Sequence, residues 1–245
     1  NHPIFEEIKI IFDEAEFFLK INKSPNYNFV YDQVVTCGEI ISSKILSSYL
    51  KESRFSNEWL DARDFIKTDA NYREGLINWE ITEKNVLKLD NDKFYVTQGF
   101  IGSDDNNFTV SLGREGSDYS AAIFAYCLNA SDVTIWKDVP GVMTGDPQKF
   151  DNVELLTNIS YEEAIEMAYY GASVIHPKTL QPLQQKKIPF FVKSFIHPEK
   201  QGTKIGICDE NQRKESYILK GNQTLMNIAT RDFSFIAEDH MSYIF

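Results

Sequence analysis

Residues Leu112–Asp118, reading Leu-Gly-Arg-Glu-Gly-Ser-Asp, constrain the fold more than any other stretch of the chain. The two glycines let the backbone turn sharply where a strand-like run ends. Helical spacing then begins, with Ala121, Ala122, Phe124, Ala125 and Leu128 as its apolar stripe. A helix started this way aims its free first-turn N–H groups back at the loop, where anions are attracted. Arg114 adds a planar fork for a carboxylate or phosphate. A glycine turn alone mostly serves to bend a chain, and Ser117 or Asp118 alone would be read as a helix cap.

Neighbouring segments strengthen the ligand reading. Gly99-Phe100-Ile101-Gly102 reads as a second glycine loop after the apolar run Phe94–Val96, and Val133–Trp136 reads as a buried strand leading into Lys137-Asp138-Val139-Pro140-Gly141-Val142. Strand, loop, helix and strand thus recur as in a βαβ layer. A dinucleotide-dependent oxidoreductase would share the glycine loops, but no G-x-G-x-x-G follows an initial strand.

The net charge of −11 and pI near 4.9 argue against a nucleic-acid partner, since no run of Lys and Arg offsets the acidic surface. Small anionic substrates must then be drawn in locally, by Arg114, Lys137 or helix ends. No apolar run approaches membrane-spanning length. Cys37, Cys127 and Cys208 are odd in number and widely spaced, which suits free thiols in a reducing cytoplasm. The histidines His2, His176, His197 and His240 show no ligand-like spacing, so no metal site is expected.

Residues 3–20 carry a helical stripe from Ile4 to Leu19, and 32–50 form a second helix interrupted at Gly38; both are expected to lie on a sheet. On the second helix Glu39 shares a face with Ser42 and Ser43, either as a solvated face or as a carboxylate set beside two hydroxyls. Ser160-x-x-Glu163 fits a capping box opening a helix over 161–170, with Gly171 ending it and Ile165, Ala168 and Tyr169 in the core. Residues 188–195 read as a strand begun by Pro189. The polar stretch 201–216 reads as a linker or surface hairpin, followed by a strand-like run over 217–229 and the start of a helix over 235–245.

Taken in order, Gly38-Glu39, Leu112–Tyr119, Ile135–Val142, Asp146-Pro147-Gln148 and Gly171–Pro177 resemble the motifs of aspartokinases, in the amino-acid kinase superfamily. The resemblance runs from about Tyr31 onward. It implies an α/β fold: a three-layer αβα sandwich with an open, mostly parallel sheet. It also implies a catalytic domain over 1–200, a linker over 201–216 and the start of a truncated regulatory ACT domain over 217–245. The family's amino-terminal Lys-Phe-Gly-Gly-Thr-Ser segment has no counterpart, so a chain short of its first βα unit is expected.

The implied reaction moves the γ-phosphoryl group of ATP, with Mg²⁺, to the side-chain carboxylate of L-aspartate. The full-length protein is then expected to be a cytoplasmic homo-oligomer whose partners are L-aspartate and ATP, with no nucleic acid and no membrane. By the same resemblance Arg114 grips the α-carboxylate, Glu39 meets the ammonium group with Ser42 nearby, and Ser117 and Asp118 order the loop and contact substrate. Gly99 and Gly102 turn N–H groups toward the phosphates; Lys137, Asp138, Met143, Gln148 and Ser173 border ATP. Asp138 could touch the ribose, organise Mg²⁺ or merely make a turn. Gln148 stands where relatives commonly have arginine, Ser173 where many carry lysine, and Lys137 where threonine is frequent. The expectation is that Lys137 supplies part of the displaced positive charge. A catalytically incomplete module that still binds aspartate and nucleotide is the alternative.

Overall fold

The structure is a computed structural model that describes residues 2–171, 174–208, 214–224 and 238–244. Three helices open the chain: α1 (Ile4–Ile21), α2 (Tyr27–Val35) and α3 (Cys37–Glu52). The break falls at Thr36, not at Gly38, which sits inside α3 with open space where a Cβ would stand; Thr36 closes α2, and its hydroxyl donates back to the Asp32 carbonyl at 2.5 Å. Only α3 packs as expected, against the strand pair that follows. By contrast α1 lies on α2 and α3, contributes Ile11 to a cluster with Ile40, Ala62 and Ile101, and buries no residue fully.

Strand β1 (Glu58–Leu60), the short α4 (Ala62–Phe65) and α5 (Trp79–Val86) lead to β2 (Tyr95–Thr97), which pairs parallel with β1. Next come β3 (Ile101–Ser103) and β4 (Thr109–Ser111), paired antiparallel, and then the long buried helix α6 (Gly116–Leu128). Its burial extends beyond the expected stripe. Tyr119, Ser120, Ile123 and Cys127 are buried with Ala122 and Ala125, because one side faces Ile66 and Val86 and the other faces the strands beyond.

The second half holds β5 (Val133–Lys137), β6 (Asn158–Ser160), α7 (Tyr161–Tyr170), α8 (Pro177–Lys186), β7 (Phe190–Ser194) and β8 (Thr203–Gly206). Their sheet has the order β5-β7-β8-β6, with β5/β7 and β6/β8 parallel and β7/β8 antiparallel. Parallel pairs predominate and helices flank them, the αβα architecture expected from the sequence. Phe190, Val192, Ile205, Leu180 and Leu183 form the fully buried centre of this half.

Two local expectations are corrected, and a third falls partly outside the described residues. Residues 203–206 are an inner strand, not part of a linker or surface hairpin: Thr203 and Ile205 are fully buried, and the Val142 N–H donates to Thr203 Oγ1 at 2.8 Å. Tyr169 is exposed, and α7 faces the core with Tyr161, Ala164 and Met167 instead. Residues 217–220 form no strand, while 225–237 lie outside the described residues; the last described element is α9 (Glu238–Ile244). The capping box at α7 is present with both of its bonds, and α7 ends at Gly171 with φ 122°.

Candidate functional site

The carboxyl ends of β4 and β5 and the amino end of α6 meet at a cavity of about 860 Å³. Its floor is the glycine loop. Gly113 takes φ +79°, and Glu115 takes φ +52° as the residue before α6, so the chain reverses there in a left-handed turn. No side chain caps this helix, so Ser117 and Asp118 do not act as its caps. Their backbone N–H groups, in the first turn, make no hydrogen bond among the described residues and remain free for an anion.

The two glycines bracketing the earlier turn serve packing. A Cβ on Gly99 would lie 2.8 Å from the Ser117 Cα, and one on Gly102 would lie 2.7 Å from the Ile66 carbonyl oxygen. Gly102 therefore sits inside β3, pressed against a neighbouring segment, and Gly99 lets residues 99–100 close onto the first turn of α6. Phe100, at φ +73°, lines the cavity, and its carbonyl accepts from the Leu112 N–H at 2.8 Å.

Among the residues anticipated from sequence, Glu39, Arg114, Ser117, Asp118 and Lys137 come together on the cavity wall. Lys137 Nζ stands 2.8 Å from Asp118 Oδ2, an oxygen that is buried and has no other polar partner among the described residues. Arg114 is exposed and makes no ion pair there. Glu39 is half-buried without a cation beside it, and burial pushes its carboxyl above the usual carboxylate value. Glu115, which lines the same cavity, has one buried oxygen, Oε2, with no hydrogen-bond partner among the described residues.

The other anticipated residues lie elsewhere. Ser42 is exposed and donates to the Glu39 carbonyl, while its neighbour Ser43 points inward to Trp59 and Gln98. Asp138 is exposed beyond the end of β5. Met143 makes an isolated bridge to Leu155, and Gln148 is exposed in the turn that Asp146 caps. None of these lines the cavity, nor do Gly99 and Gly102. Ser173 lies outside the described residues.

Sequence reasoning missed Asp32, Tyr31 and Arg73. Asp32 is fully buried, and its carboxylate accepts from the Arg73 N–H at 2.8 Å, the Ser111 N–H at 2.8 Å and the Ser111 hydroxyl at 2.7 Å. One side chain of α2 thereby fixes both the loop carrying Arg73 and the end of β4. A buried aspartate in an apolar helix was the only local signal. Lys178, in the first turn of α8, adds a fourth tie: it donates to the Leu112 carbonyl at 3.2 Å and sits 4.7 Å from the Tyr119 ring centre.

A cavity with unpaired guanidinium and carboxylate groups, amide donors and no paired nucleophile and base suits positioning and neutralisation of anions. Residues 6–194 match the amino acid kinase family, and the chain belongs to that family. Its resemblance to aspartokinases is also borne out. It is 36% identical to lysine-sensitive aspartokinase 3 of Escherichia coli over 204 residues, 80% of this chain and 45% of that protein. It is likewise 36% identical to a bifunctional aspartokinase/homoserine dehydrogenase of Buchnera aphidicola, over 82% of this chain and 25% of that one. The crystal structure of E. coli aspartokinase III in complex with aspartate and ADP superimposes with a TM-score of 0.80 at 33% identity, covering 86% of this chain and 48% of that chain. The chain thus spans less than half the length of these relatives.

Proposed function

We propose that this protein phosphorylates the side-chain carboxylate of L-aspartate with ATP, releasing ADP and 4-phospho-L-aspartate. A carboxylate oxygen attacks the γ-phosphorus while the bond to the β–γ bridging oxygen breaks and its electron pair leaves with ADP. No general base is required, because a carboxylate of reference pKa about 3.9 is already ionised at neutral pH. The task is to hold two anions in line. One observation carries the reading: an unpaired Arg114 and an unpaired, burial-perturbed Glu39 face one cavity at the open amino end of α6. Such a pair matches the α-carboxylate and ammonium of an amino acid. The solved relative that binds aspartate and ADP supports the same substrates.

Mg²⁺ fits as an ion carried by the nucleotide. It keeps several waters and needs only one or two protein carboxylates, and among the described residues no three-ligand cage exists. Glu115, which lines the cavity and has a buried oxygen with no hydrogen-bond partner among the described residues, is the oxygen donor there that would suit it. When bound, it neutralises phosphate charge. Under this reading the product opens the lysine, threonine and methionine pathway, 217–245 begins an ACT regulatory domain, and the full-length protein is a cytoplasmic homo-oligomer. No helix among the described residues is long and apolar enough to cross a membrane.

A second reading, binding of both ligands without turnover, is favoured by the Lys137–Asp118 pair and by Gln148, which brings no charge to the nucleotide. Trapping the acyl phosphate with hydroxylamine separates the two. Full-length protein with L-aspartate and Mg-ATP should give an aspartate-dependent hydroxamate. Binding of both ligands with no hydroxamate would leave the non-catalytic module.

A further inference from the structure

Given the two-anion reaction proposed above, we infer that Arg73 is a second anion-binding residue of the same cavity, its guanidinium presented by the Tyr31 ring to a carboxylate of the amino acid or a phosphate of the nucleotide. Arg73 lines the cavity with Arg114 and Glu39, although it lies far from every recognisable motif. Its guanidinium carbon sits 4.6 Å from the Tyr31 ring centre. The ring holds the cation without using up its N–H groups, which make no hydrogen bond among the described residues and can grip carboxylate or phosphate in pairs.

Two further observations separate Arg73 from an ordinary surface arginine. It makes no ion pair among the described residues, although Glu74 follows it and the chain carries an excess of eleven negative charges. Its backbone is also held in an uncomfortable place. At φ +74° it occupies the left-handed region that favours glycine, fixed there by its N–H bond to the buried Asp32. A Cβ on Gly113 would lie only 3.2 Å from the Arg73 carbonyl oxygen, so the Arg73 loop and the Arg114 loop are interlocked. A strained arginine pinned to the glycine loop and left without a counter-ion is arranged for a ligand's charge.

Titration calorimetry on the full-length protein with L-aspartate, and separately with Mg-ATP, tests this. Arg73→Gly removes the guanidinium while relieving the backbone, so its melting temperature should hold or rise. It should bind at least one of the two ligands about tenfold or more weakly, the scale of a lost charged hydrogen bond. Arg73→Lys should recover part of that loss, and Tyr31→Leu should weaken the same ligand. A loss confined to L-aspartate assigns the carboxylate, one confined to Mg-ATP assigns the phosphate, and a loss for both places Arg73 between them. Unchanged binding of both ligands by Arg73→Gly would overturn the inference and leave the proposed reaction standing. So would weaker binding that merely tracks a lower melting temperature. Failure of the native protein to bind either ligand would remove the proposed reaction and the inference together.

Discussion

Lys137, the last residue of β5, and Asp118, in the first turn of α6, form an ion pair of 2.8 Å across the mouth of the cavity. Their side chains are 22% and 15% exposed, so the pair is neither a loose surface contact nor fully desolvated. It clamps the helix carrying the anion-facing amides to the sheet. It also limits how much of the Lys137 charge is available to an anion in the cavity, since the ammonium already has a counter-ion.

Removing one partner should therefore cost more than removing both. In Lys137→Met the Asp118 oxygen keeps its buried position and loses its only polar contact among the described residues, at a cost of about 1–3 kcal/mol in unfolding free energy. Lys137→Met combined with Asp118→Leu should recover much of that loss. Chemical denaturation of the two single variants and the double variant completes the cycle; strict additivity would show that the pair contributes no coupling.

If the proposed reaction holds, Glu39 should make aspartate binding sensitive to mild acid. Its carboxyl is raised by burial, so it protonates at a higher pH than an ordinary glutamate and loses its attraction for an ammonium group. Affinity for L-aspartate should be full above the raised value and fall as pH drops through it. Glu39→Gln should bind aspartate weakly at every pH and flatten that dependence. It should not lower stability at neutral pH, where a charged, unpaired Glu39 already works against folding. Calorimetric titration between pH 4 and 8, values spanning the reference glutamate pKa of about 4.3, compares the two proteins; parallel pH profiles would exclude Glu39 as the ammonium partner.

Asp32 should behave as the buried joint of the site. Asp32→Ala removes both acceptor oxygens and leaves the Arg73 N–H, the Ser111 N–H and the Ser111 hydroxyl without this partner, a mismatch of buried donors with an apolar neighbour. At a fully buried position that mismatch should cost about 2–4 kcal/mol. Thermal unfolding measures it. A melting temperature equal to that of the native protein would mean that the two loops are fixed by other contacts.

What the sequence revealed follows from how local each signal is. The Ser160 capping box, the end of α7 at Gly171 and the turn before α6 are written in adjacent residues, and each is found where expected. Strand β8 was hidden because Thr-Lys-Ile-Gly is too short and polar for its alternation to stand out, and its place depends on Val142 and Phe190 finding it. Tyr169 sits next to the true buried stripe of α7, an error of one step around the helix. Arg73 and Tyr31 escaped notice because they meet Ser111 and Gly113 only through the fold, by way of Asp32. The motif residues Arg114, Ser117, Asp118 and Lys137 lie on one cavity, whereas Ser42 does not, because the neighbouring Ser43 takes the inward direction.

Alkaline unfolding offers a test of the packing around α6 and α7. Tyr119 and Tyr161 are nearly inaccessible, and burial pushes both phenols up to about 12, Tyr161 also donating to the Ile188 carbonyl. Both pKa values are raised above the unfolded value of about 10, so the native state holds these protons longer than the unfolded chain. Their contribution is complete below about pH 10 and is lost as pH rises toward 12, of order 2 kcal/mol for each phenol. Lys178 acts in the opposite sense over part of that range. Burial lowers its pKa below 10.5, so deprotonation favours the native state as pH passes through the lowered value. The two tyrosines outweigh one half-buried lysine, so stability should fall steeply above pH 10. Tyr161→Phe should reduce that fall, at the expense of the bond to Ile188. Denaturant midpoints at pH 8, 10 and 11, chosen about the reference tyrosine pKa near 10, compare native and variant; equal slopes would show that Tyr161 ionises alike in the folded and unfolded chain.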